Sequence, residues 1–329
     1  MALTGATSHG VGNSTPLRWF EPDATVSPAE FERMSRGEVI VKPLPSRTQQ
    51  LGVFAVTKIG TSPEVFVEWI RHISQLQRSK AVTASGRFSN PPVFQDLDGL
   101  VLDARDLEAL RECRPGRCAI KLSADEIRSL RTIADDGPDA ALQYAFRRVL
   151  FDQLMADRRG GASTARAPVE VLAALQANSP YIGKSDLRLA QWLNAADRAN
   201  PPDVESFYYW SKEYYASGKA VIALTQVAVT RGAPDGAAPE VAVVGKQLFA
   251  SRYMNGMLTH ITLARDVATG SLYMTYTNRA QLDVLKGFWG GLVRTIINSR
   301  LRGDAATVLR TLRDRIESGP PRPGSGVSD

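Results

Sequence analysis

Two cysteines and three histidines among 329 residues leave little from which to build a metal centre. The histidines are His9, His72 and His260, with no HExxH or His-x-His pair, so no metal site is expected. There is no Gly-x-Ser-x-Gly elbow, which removes the usual serine-hydrolase signature. No apolar run approaches the roughly 20 residues needed to cross a bilayer. The longest, 221–229, is broken by Thr225 and Gln226 and reads as a strand. The start, MALTGATSHGVGNSTPLRWF, has neither a charged opening nor an apolar core, so no signal peptide is expected there. Phosphate loops are missing too. Gly183-Lys-Ser185 looks like the end of one, but Asn178 stands where its first glycine belongs and Pro180 interrupts it. Gly10-Val-Gly12 lacks the third glycine and a preceding strand. No cofactor is expected.

What is present fits a soluble globular protein: 43% hydrophobic and 22% charged residues. The net charge of +6 sets nine lysines and 31 arginines against 34 acidic residues. An arginine excess fits a GC-rich bacterial genome, and it also fits contact with an anionic lipid surface or substrate, which the guanidinium fork grips well. No nucleic-acid motif and no aromatic-plus-basic strand face accompany the charge, so nucleic acid is not expected as a partner.

The cysteines sit in Cys113-Arg-Pro-Gly-Arg-Cys118. Proline fixes φ at the first central turn position and glycine accepts positive φ at the second, a type II signature. That turn sets Cys113 and Cys118 opposite each other, within disulfide range. A disulfide would favour a periplasmic or secreted protein; two free thiols would suit the cytoplasm.

Hydrophobic periodicity divides the chain. Residues 1–16 and 318–329 read as disordered. The Ser27-Pro-Ala-Glu30 capping box opens a helix over 28–35. Strands follow at 37–43 and 51–60. Ser62-Pro63 then starts a helix with Val65, Phe66, Trp69, Ile70, Ile73 and Leu76 on one face, and a strand at 81–88 comes next. From 90 to 218 the pattern is helical. Helices open at Asp103 and Ser123, run over 140–155, 168–176 and 185–195, and end with one from Asp203 to Gly218; a short strand is expected at 118–122. From 219 the period becomes two, giving an antiparallel meander of strands at 219–230, 241–251, 257–265 and 271–278. Helices at 283–301 and 304–317 close the chain.

The order strand, amphipathic helix, strand, helical interruption, antiparallel strands, long final helix resembles the START-related helix-grip superfamily, also called SRPBCC or polyketide cyclase-like. The residues carrying the resemblance are Gly37-Glu-Val-Ile-Val-Lys42, Thr57-Lys-Ile-Gly-Thr-Ser-Pro-Glu-Val-Phe-Val-Glu-Trp69 and Gly287-Phe-Trp-Gly-Gly-Leu292. It implies an α+β fold, residues 17–89 and 219–317, in which a curved antiparallel sheet grips a long C-terminal helix; 90–218 is then a large helical insertion. It also implies an apolar cavity between sheet and helix, for carrying or converting a lipid-like, sterol-like or polyketide-like molecule.

Candidate ligand contacts follow. Leu258, His260 and Thr262 alternate onto one face of a strand, a mixture suited to a cavity wall, although a lone sheet histidine is more often structural. Gln226 interrupts an apolar strand, and Tyr253, Met257, Tyr273 and Tyr276 lie in the same meander. Tyr214 belongs to an aromatic-rich run, Phe207-Tyr-Tyr-Trp-Ser-Lys-Glu-Tyr-Tyr215, read as one helical face of cavity wall or core. Trp289 with Gly290 and Gly291 in the last helix leaves room beside a wall, and Arg294, Arg300 and Arg302 could meet an anionic membrane surface. Binding or transfer of an apolar molecule is the first expectation. An enzyme acting in the same cavity, with His260 and a tyrosine as acid and base, is the alternative.

Overall fold

A computed structural model of the protein describes residues 25–46, 49–160, 169–194, 201–214, 218–233, 238–285 and 305–321. Helix α1 (Pro28–Ser35) begins where the capping box requires: Ser27 accepts from the Glu30 amide at 3.3 Å and the Glu30 carboxylate accepts from the Ser27 amide at 2.8 Å. Strands β1 (Ile40–Pro43) and β2 (Gln50–Ile59) lead to α2 (Pro63–Arg71), capped by Ser62, then α3 (Ile73–Leu76) and β3 (Val82–Arg87). Six helices follow: α4 (Ala104–Glu112), α5 (Ala124–Asp136), α6 (Asp139–Arg158), α7 (Val169–Ala177), α8 (Tyr181–Ser185) and α9 (Leu187–Asn194). The meander consists of β4 (Glu205–Tyr214), β5 (Ala220–Arg231), β6 (Val241–Ala250), β7 (Met254–Arg265) and β8 (Leu272–Leu282). A further helix, α10, covers 305–317.

All eight strands join one antiparallel sheet in the order β1-β2-β8-β7-β6-β5-β4-β3, open at both edges. Helices cover both of its faces. On the outer face, α4–α6 bring Leu110, Leu142, Phe146 and Leu150 against Trp210, Ile222, Leu224 and Phe249. Beside them α7–α9 pack Leu175, Ile182, Leu189 and Trp192 on Ala228, Val244 and Leu258, and α1 sets Met34 on Phe54, Val56 and Tyr273. On the inner face, Phe66, Val67, Trp69 and Ile70 of α2 and Leu309 and Ile316 of α10 pack on Ala55, Val227, Val243, Leu263 and Met274. A strand covered on both sides carries apolar residues at consecutive positions. That is why Ala220–Thr230 is buried throughout and reads as an unbroken run.

Hydrogen bonds fasten α10 to the front of the chain. Arg313 donates to Gly37 O and to Thr57 Oγ1, Glu317 accepts from Gly60 N at 2.7 Å, and Trp69 Nε1 donates to Gly319 O at 2.7 Å. Arg315 donates to the carbonyls of Gln75 and Leu76, which end α3. Arg71 on α2 reaches Glu205 on β4 at 2.7 Å, so α2 bridges from one side of the inner face toward the other.

The structure corrects two elements. Residues 205–214 are strand β4, not part of a helix from Asp203 to Gly218. Aromatic residues fit either period over so short a run, and they favour strands where neighbours pair with them. Here β4 pairs with β3 on one side and β5 on the other. Gly218, which reads as a helix stop, has φ 69° and precedes β5. Residues 118–122 form no strand; Lys121 N donates to Ser251 O. The turn before them is as expected. Gly116 has φ 79°, Arg114 and Arg117 exchange backbone hydrogen bonds, and Cys113 and Cys118 are paired with Cα atoms 4.3 Å apart. The segments 1–16 and 322–329, and the helix expected over 283–301 beyond Leu285, lie outside the described residues.

Gly86 shows how tightly the β3 edge is built. A Cβ there would meet Trp210 Nε1 at 2.5 Å, and that indole is held by its bond to Asp96 O at 2.8 Å. Gly86→Ala must displace the ring and break the bond. It should cost about 2–3 kcal/mol, read as a lowered urea midpoint at unchanged slope.

Candidate functional site

Strand β7 lies inside the sheet, between β6 and β8, and over its first half the described residues seal only one of its faces. Its outward residues Leu258, His260 and Thr262 are buried, while the intervening inward residues Met257, Thr259 and Ile261 are half-exposed. The register extends this surface. Ile261 pairs with Tyr276 and Thr259 with Asn278 on β8, and both partners are also half-exposed. Across β6 and β5 the same face continues through Gly245 and Gln247 to Val227 and Thr225, and then to Tyr209 on β4. A Cβ on Gly245 would sit 3.6 Å from Thr259 and 3.7 Å from Thr225, so a glycine lets these two threonine side chains flank one spot.

The half of the inner face nearer Ile59 and Leu263 is filled by α2 and α10. The other half carries hydroxyls and amides. Asn278 Nδ2 donates to Thr259 Oγ1 at 2.9 Å, and Ser211 Oγ donates to Glu213 Oε1 at 2.6 Å. Burial pushes the Tyr209 and Tyr276 phenols up, and the nearby Glu213 charge adds to both shifts. Both therefore stay neutral, as hydrogen-bonding groups, across the physiological range. Both are deep enough to lose their hydration and pack against the cluster under α2 and α10, and the described residues bury them only in part. At the end of this half, Tyr253, Met257 and Leu282 pack against Val221, Ala250 and Met254.

Of the expected ligand contacts, the structure brings Tyr276, Met257 and Tyr253 to this inner half. Gln226, His260, Tyr273 and Tyr214 lie on the outer face instead. Gln226 Nε2 donates to Ser206 Oγ, Tyr273 packs on α1, and Tyr214 donates its hydroxyl to Asp103 at 2.8 Å. His260 is enclosed by α8, with Nε2 3.1 Å from Ser185 Oγ and its ring 5.1 Å from that of Tyr181. Burial pushes the imidazole down to about 3, against a weak opposing pull from Asp186. Being on opposite faces, His260 and Tyr276 cannot act as an acid–base pair on one ligand. Ser185, in the phosphate-loop look-alike, is buried in α8, where its hydroxyl also donates to Ile182 O. Trp289, Gly290, Gly291, Arg294, Arg300 and Arg302 lie outside the described residues.

Sequence reasoning missed Tyr209, Thr225, Gln247 and Asn278. Gln247 carried a signal, a polar residue in an apolar strand, of the same kind as Gln226. Among the described residues no cluster of histidine, cysteine, aspartate and glutamate is arranged to hold a metal, and no helix is long and apolar enough to cross a membrane.

Neither protein-family models nor curated proteins match the chain. Among solved structures, the di-domain ARO/CYC BexL from the BE-7585A biosynthetic pathway is similar over 90% of this chain and 92% of its own, at 13% identity. Its TM-score of 0.25 is too low to support an argument about fold or function.

Proposed function

We propose that the chain binds an apolar small molecule on the inner face of its sheet, in a helix-grip arrangement, against Met257, Ile261, Tyr276 and Tyr209. The observation that carries this is the alternation along β7: a strand inside an eight-stranded sheet keeps Met257, Thr259 and Ile261 half-exposed. Close packing would fill such a space if it served only stability. Pockets for small molecules pair apolar walls with a few fixed polar groups, and this surface has both. The strand order supports the helix-grip reading. β2 and β3 stand on opposite sides of the meander, and α2 and α3 connect them across the inner face beside α10.

Filling the space tests the proposal. Wild-type protein should bind the neutral lipophilic dye Nile red with a blue-shifted emission. Thr259→Trp should weaken binding roughly tenfold or more by occupying the same volume, while Tm falls only a few degrees. Equal binding by the variant would place the dye elsewhere. A second reading, acid–base conversion of the ligand, is favoured by Glu213 standing near two neutral phenols. Chemical change of a bound compound by wild type, lost in Glu213→Gln, would select it.

A further inference from the structure

Gln247 is 2% exposed, and among the described residues its Oε1 has no hydrogen-bond partner. Its place on the inner face follows from its pairing with Thr225, which itself pairs with Tyr209. The amide nitrogen is already engaged, with Nε2 3.8 Å from Met254 Sδ. A thioether can accept a hydrogen bond but not donate one, so the nitrogen belongs on the Met254 side and the carbonyl oxygen points away from it. A buried amide oxygen left bare costs free energy, and native interiors rarely tolerate one without a reason.

The surroundings limit what could complete it. Met254, Met257, Val221 and Ala250 form an apolar wall on one side. Glu213, paired with Val221 at that same end, is close enough to act on both Tyr209 and Tyr276 through its charge. The missing partner must therefore donate a hydrogen bond, must tolerate a nearby carboxylate and must continue into an apolar body. A carboxylate or phosphate head fails on charge. A ketone or ester fails because it has no proton to give. We infer that the inner-face site selects an apolar molecule bearing a neutral hydroxyl, with Gln247 Oε1 accepting from that hydroxyl. The inference rests on the proposed inner-face binding site and names its ligand class.

The test is displacement of Nile red from the full chain at pH 7.5 by three ligands of similar length: decan-1-ol, 2-undecanone and decanoate. Decan-1-ol should displace the dye at about tenfold lower concentration than either of the others, the worth of one buried hydrogen bond. Gln247→Met, close in shape but with no acceptor of comparable strength, should bring the alcohol to within a few fold of the ketone. Equal displacement by alcohol and ketone, or a preference for decanoate, overturns the hydroxyl assignment while leaving the binding site standing. No dye binding by wild type overturns both. If Gln247→Met does not fold, the wild-type alcohol-to-ketone ratio decides alone.

Discussion

Acid should destabilise this protein well before its carboxylates are protonated, and His260 should be the main reason. Ser185 Oγ already donates to Ile182 O at 2.8 Å, so the His260 contact is best completed by Nε2–H donating to Ser185 Oγ. That leaves Nδ1 as a bare acceptor, and it has no partner among the described residues. A proton there would create a buried charge with nothing to share it. The imidazole is held near 3 when folded and returns to about 6.5 when unfolded. Between those values the unfolded chain binds more protons, so stability is fully present above pH 6.5 and falls as pH drops toward 3. The loss should reach about 2 kcal/mol at pH 5 and about 3 kcal/mol at pH 4. Urea denaturation at pH 7.5, 5 and 4 measures it. His260→Leu should flatten the dependence across this window, because Ser185 keeps its bond to Ile182. An unchanged pH profile in that variant would assign the acid sensitivity to other groups.

The second large effect is expected at Arg252, between β6 and β7. Its Nη1 donates to Asp106 Oδ1 at 2.6 Å and to Ala220 O at 2.6 Å, and both charged residues are buried. The pair pins the first turn of α4 to the start of β5. Burial raises the Asp106 carboxyl above its ordinary value although Arg252 pulls it down. Arg252→Met should cost about 3–5 kcal/mol at pH 7.5, because it strands a buried carboxylate. The sign of the pH response is diagnostic. Without the guanidinium, the folded-state carboxyl rises further and takes up a proton more readily than in the unfolded chain, so the deficit should shrink as pH falls. Arg252→Met with Asp106→Asn should recover much of the loss at pH 7.5. A deficit of the same size in the double variant would show that the cost comes from the lost Ala220 bond and packing.

Local chemistry made much of the fold readable. Both capping boxes, at Ser27 and Ser123, and the Ser62 cap lie where the sequence puts them, since a side-chain oxygen three residues from its amide is a local matter. The run at 205–214 was misread because its partners are distant in sequence: β3 more than a hundred residues earlier, and β5 beyond a glycine that suits either a helix stop or a turn. The candidate site was hard to read for a different reason. The alternation of Leu258, His260 and Thr262 against Thr259, Ile261 and Leu263 is visible in the sequence, and the structure keeps it. Which set is the less covered is not visible, because α4–α9 bury the outer face as thoroughly as a core. His260 therefore resembled a ligand contact and is a packed residue under α8. Gln226 and Gln247 give the same local signal on opposite faces, and only the sheet register separates them.

The ties of α10 to the start of the chain bear on how the protein comes into being. Trp69 waits for a carbonyl 250 residues later and Gly60 for a carboxylate 257 residues later. At ordinary rates of synthesis, about 5–20 residues per second, that interval lasts roughly 12–50 s. Throughout it β2 and α2 exist without the helix that covers them, and until residue 282 is made β2 also lacks a complete β8, its central neighbour in the finished sheet. Such distant pairings slow folding and leave apolar surface open on the growing chain. A nascent chain stalled at residue 282 should therefore need chaperone protection that the completed protein, with α10 in place, does not.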